Sequence, residues 1–98
     1  MATYDNIKIN FLDEAVIDCR LRGLNNALIR GDYERVRFNI VDTIKHLNQA
    51  NIEMNKILYN KIVDEFLHMQ VESALHKYDN LHNRIRNLHY IIVNSYMQ

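Results

Sequence analysis

Apolar residues recur along this chain at steps of three and four, the spacing of helices that each bury one face. A first helix is predicted from about Lys8 to Arg30, with Ile17, Leu21, Leu24 and Leu28 on one side. Gly31 follows it. Glycine supplies the left-handed residue past a helix end without a steric penalty, and Arg30 suits the negative pole there. Asp32 then caps a second helix to about Asn48, whose inward face is Tyr33, Val36, Ile40, Ile44 and Leu47. The segment Asn48-Gln49-Ala50-Asn51 is the next break, with Asn51 as the cap of a third helix. That helix runs to about Lys77 through Ile52, Tyr59, Ile62, Phe66 and Met69. Asp79-Asn80 marks the last junction, and a fourth helix to about Tyr96 turns Leu81, Ile85, Leu88 and Ile92 inward. Neither glycine nor proline stands at that junction, so fusion of the third and fourth helices is the alternative. No internal repeat, low-complexity segment or linker is visible.

Turn chemistry agrees with this pattern. No proline and two glycines in 98 residues cannot supply many hairpins. Short connections favour antiparallel neighbours. The expected fold is therefore all-α, a single domain built as an antiparallel three- or four-helix bundle without a sheet. A chain of this length buries only roughly 60% of the surface its unfolded form exposes, so self-association adds stability. A homodimer is expected.

Charge narrows the choice of partners. Twelve basic and twelve acidic residues cancel, so the chain lacks the broad positive field that drives non-specific nucleic-acid binding. A protein, not a nucleic acid, is the expected partner. Only the end of the chain is lopsided: His82, Arg84, Arg86 and His89 follow Asp79, and no acid does. Cys19 is alone, which precludes an intrachain disulfide and points to a reducing compartment. The first residues, Met1 to Asp5, lack a basic region followed by an apolar run, so no signal peptide is expected. The longest aliphatic run, Ile91-Ile92-Val93, falls far short of a membrane span. A cytoplasmic location follows, or a host-cell interior for a viral protein. Thirteen Asn, twelve Ile and six Tyr fit an AT-rich coding sequence of bacterial, phage or viral type.

Most catalytic chemistries lack their residues. Thr3, Thr43, Ser73 and Ser95 do not sit in a strand-turn-helix nucleophile setting. Two isolated glycines cannot form a phosphate-cradling loop, and one cysteine cannot build a Cys-rich zinc site. Glu65-x-x-His68 and Asp79-x-x-His82 have or approach the spacing used in di-iron bundles, which also need two inward carboxylates from other helices. Glu14 lies at the edge of the first apolar face and Glu34 points away from the second, so these groups read as solvated helix faces. His82 and His89 share a face, but seven helical residues set them about 10 Å apart, too far for one ion. No metal or cofactor is expected.

Two constellations remain as candidate contact surfaces. Ala15, Cys19, Gly23 and Ala27 are small residues at steps of four along the first helix. Such spacing lets two helix backbones approach closely. Either the edge packs inside the monomer, for example against the fourth helix, or it forms a dimer seam. Phe38 lies nearly opposite Ile40, with Arg35 and Val41 beside it. A large aromatic flanked by arginine on a polar face has the composition of a protein-interaction hot spot.

Two segments resemble known families. Arg84-x-x-x-x-His89 resembles the Arg-x(4–6)-His motif of HEPN ribonucleases, small helical bundles that act on RNA as dimers. The resemblance covers one helix and two residues, and it implies Arg84 and His89 as the catalytic pair. Ile85 stands where a polar residue often follows the arginine. The segment from Ala27 to Glu34, then Asn39-Ile40, Ile44 and Leu58-Tyr59, is similar to flagellin export chaperones, bundles that wrap a partner's terminal helix. The leading expectation is a small non-enzymatic helical interaction module: an adaptor, chaperone or inhibitor. A HEPN-like RNase and a flagellin-export-chaperone-like bundle are the alternatives.

Overall fold

The computed structural model describes residues 11–96. Four helices account for most of them: α1 (Glu14–Ile29), α2 (Tyr33–Gln49), α3 (Lys56–Ala74) and α4 (Tyr78–Tyr96). Each packs on two others, α1 on α2, α2 on α3, α3 on α4 and α4 back on α1, which closes a ring around one core. A two-residue parallel ladder joins β1 (Phe11–Leu12) to β2 (Asn51–Ile52) and is the one departure from an all-helical chain among these residues.

That ladder explains where two helices begin later than expected. The first helix starts at Glu14, not near Lys8, because residues 11 and 12 are extended against residues 51 and 52. Residues 8–10 lie outside the described part. Asp13 caps α1, its Oδ1 accepting the Val16 N–H at 2.9 Å. The third helix is capped by Asn55, not Asn51: its Oδ1 accepts from Ile57 N–H at 2.8 Å and Leu58 N–H at 3.3 Å. Asn51 spends its backbone on the ladder instead.

The two tight turns share one geometry. After α1, the Gly31 N–H donates to the Leu28 carbonyl and the Asp32 N–H to the Ala27 carbonyl, with Gly31 at φ 72°. After α3, the His76 N–H donates to Ser73 and the Lys77 N–H to Glu72, with His76 at φ 58°. Both are the paired backbone bonds that end a helix through a left-handed residue. The chain therefore breaks at Leu75–Lys77, three residues before the expected Asp79-Asn80, and α3 and α4 do not fuse. Tyr33 and Tyr78, each two residues past its left-handed residue, stack with ring centroids 3.9 Å apart.

These parallels extend through the core. Val36, Ile40, Thr43 and Leu47 are buried on α2; Leu81, Ile85, Leu88 and Ile92, each 45 residues on, are buried on α4. Ile17, Leu21 and Leu24 on α1 match Ile62, Phe66 and Met69 on α3 at the same offset. The molecule is a pair of equivalent helical hairpins, a repeat of burial pattern that residue identity does not show. Of the expected core, Tyr33 and Ile52 are exposed, Leu28, Ile44 and Tyr59 are half-buried, and Ala27, Leu58 and Ser73 join the interior. Tyr59 instead reaches the end of α2, its hydroxyl donating to the Leu47 carbonyl at 2.8 Å.

Candidate functional site

Phe38 stands on the outer side of α2. Val36, Ile40, Thr43 and Leu47 set the buried face, and a residue two positions from both Val36 and Ile40 points away from it. Phe38 is 71% exposed and Val41 49% exposed. Arg35 is also exposed, its Nε donating to Asp32 Oδ2 at 3.4 Å. Asp32 caps α2 with its other oxygen, so this pair fixes Arg35 beside the start of the helix. The three residues singled out on α2 thus share one open surface.

From Val41 the apolar surface continues into a groove between α2 and α3. It encloses about 200 Å³ and is lined by Arg37, Ile40, Val41, Gln70, Ser73 and Ala74. Ser73 is buried, and its hydroxyl has no hydrogen-bond partner. Leu67 and Val71 on the outer side of α3, and Leu75 just past its end, are exposed at steps of four. Spacing alone makes these three an outward stripe, legible in the sequence without the structure.

The small-residue edge of α1 divides. Ala15, Cys19 and Gly23 are exposed, whereas Ala27 is buried. A four-residue step overshoots one helical turn by about 40°, so a stripe at strict steps of four winds around the helix. A Cβ on Gly23 would lie 3.5 Å from Asn39 Nδ2, an ordinary contact. Packing within the chain therefore does not demand a glycine there.

Arg84 and His89 lie on the same helix but face different neighbours. Arg84 points to α3, its Nε and Nη2 gripping Glu72 at 2.9 and 3.0 Å while Nη1 meets Glu65. The Glu72 hydrogen bonds raise the guanidinium above its ordinary range; burial opposes this and Glu65 adds to it. His89 points to α1, where its Nδ1 lies 2.6 Å from Asp18 Oδ1. Five residues along a helix set two side chains about 140° apart, so the pair does not converge on one phosphodiester within a chain.

The other histidine–carboxylate spacing is also accounted for. Glu65 belongs to Arg84, and His68 donates through Nδ1–H to the Asp64 carbonyl, 2.8 Å away, on an exposed face. Among the described residues no three His, Cys, Asp or Glu side chains gather in a metal-holding group. No helix among them is long and apolar enough to cross a membrane. Asp18 went unnoticed in the sequence. It is only 8% exposed, and its partner His89 lies far along the chain, where local spacing gives no signal.

Comparison with protein-family models, curated proteins and solved structures finds no match. The two family resemblances therefore stand only on the residues quoted for them.

Proposed function

We propose that the chain is a non-enzymatic helical interaction module, an adaptor, chaperone or inhibitor, that holds a protein partner against the outer face of α2. The observation that carries this reading is the exposure of Phe38 with Arg35 and Val41 beside it. Aromatic and arginine side chains in one patch are the usual anchors of protein interfaces. The α2/α3 groove extends the patch with apolar lining, a form suited to the apolar face of a partner helix. The engagement of Arg84 by two glutamates supports a structural role for that arginine over the ribonuclease alternative.

A homodimer is part of the same proposal, its seam formed by the exposed Ala15, Cys19 and Gly23 at the start of the small-residue edge. A glycine inside a helix costs about 1 kcal/mol relative to alanine, and no contact among the described residues requires one at this position. Light scattering across a concentration series tests both surfaces. Gly23→Leu is expected to shift the protein toward monomer. Phe38→Ala is expected to weaken association with partner or self by about 2 kcal/mol or more while leaving the melting temperature nearly unchanged. A large loss of thermal stability in Phe38→Ala with association intact would reassign Phe38 to the core.

A further inference from the structure

The groove between α1 and α4 is a cleft of about 390 Å³ with a different character. Leu21 and Ile85 form its apolar base, and Arg22, Asn25, His82, Arg86 and His89 line it. One acid touches this set. Asp18 Oδ1 faces His89 Nδ1 at 2.6 Å, and Asp18 Oδ2 faces Arg22 at 3.1 Å. Both carboxylate oxygens are thereby occupied, and one negative charge stands against two guanidinium groups. Arg86 has no ion-pair partner among the described residues, and neither His82 nor His89 Nε2 has a hydrogen-bond partner among them.

Packing does not require a charge at Arg86. The equivalent groove between α2 and α3 holds Val41 where this one holds Arg86, and Arg37 and Gln70 where this one holds His82 and Asn25, each at the 45-residue offset. The same scaffold accepts an aliphatic side chain there in place of Arg86. Two arginines and two imidazoles set around a concave surface with one amide are the chemistry of an anion site. Planar guanidinium groups match tetrahedral oxyanions through paired N–H donors. The Asp18 carboxylate holds the His89 ring in place, as carboxylate partners do for functional imidazoles. The size falls within the range of small-molecule pockets.

We propose that the α1/α4 cleft binds a phosphate group carried by a small molecule, with Arg22 and Arg86 as the charged clamp and Asn25, His82 and His89 as further donors. This site is independent of the α2 surface.

The test is a titration of ¹⁵N-labelled protein with inorganic phosphate, and separately with a nucleoside monophosphate, at constant ionic strength set by chloride. Saturable shifts confined to the cleft residues are expected, and tighter binding of one probe identifies the source of the phosphate. Arg86→Gln should weaken binding at least tenfold with the spectrum otherwise intact, because Arg86 makes no ion pair that the fold could miss. Arg37→Gln, in the other groove at the place equivalent to His82, should leave binding unchanged. Shifts that fail to saturate, that spread over the surface, or that persist unchanged in Arg86→Gln would overturn the proposal. Should Arg22→Gln unfold through loss of its Asp18 contact, the Arg86→Gln titration alone decides.

Discussion

The α1/α4 and α2/α3 grooves are built by equivalent helices, yet one is lined by two arginines and two histidines and the other by a single arginine, a glutamine and a mostly apolar surface. Their bases are alike: Ile85 lies under one and its counterpart Ile40 under the other. The difference lies only in the rim. A four-helix ring needs its inward faces filled, which constrains Ile17, Leu21, Leu24 and their counterparts. It asks little of the edge positions, so those are where function can be written without cost to folding.

The comparison can be broken first at the base, where effects are largest. Phe66→Ala and Leu21→Ala remove equivalent core side chains, both almost wholly buried. Losses of about 3–5 and 2–5 kcal/mol are expected in urea unfolding. If one site tolerates truncation, the hairpins are not energetic equals. The turns come next. Gly31→Ala places a Cβ on a left-handed residue and should cost about 1 kcal/mol. His76→Gly relieves the same strain at the other turn and should gain up to about 1 kcal/mol. The rims come last. Val41→Arg and Arg86→Val exchange the characters of the two grooves, and each should change stability by under about 0.5 kcal/mol. A larger loss from Arg86→Val would mean that the cations serve folding after all.

Much of the fold was legible because apolar periodicity is a local signal. Leu81, Ile85, Leu88 and Ile92 read as one face and are one face. What escaped was decided by distant partners. Asn51 and Asn55 are chemically equal as caps, and only the pairing of residues 51 and 52 with 11 and 12 selects Asn55. His76 carries no breaker signature, yet its backbone closes α3 as Gly31 closes α1. Tyr33 fits the inward spacing but turns aside to stack on Tyr78.

Of the surface features, Phe38 was legible because an aromatic opposite a buried face is visible on a helical wheel. The α1/α4 cleft was legible only as an excess of basic residues after Asp79. Its α1 half, Asp18, Arg22 and Asn25, meets that segment through tertiary packing alone. The winding of the small-residue edge follows from the helix repeat and could have been anticipated from it.

The stacked Tyr33 and Tyr78 rings, 3.9 Å apart and within 10° of parallel, have a spectroscopic consequence. The chain contains no tryptophan, so tyrosine dominates its near-ultraviolet absorption. Two phenols this close couple their transition dipoles and give a circular dichroism signal that vanishes once the hairpins separate. Far-ultraviolet ellipticity would report helix, and this band would report docking of one hairpin on the other. The molecule thus carries its own optical gauge, at the end of the bundle where its two halves meet.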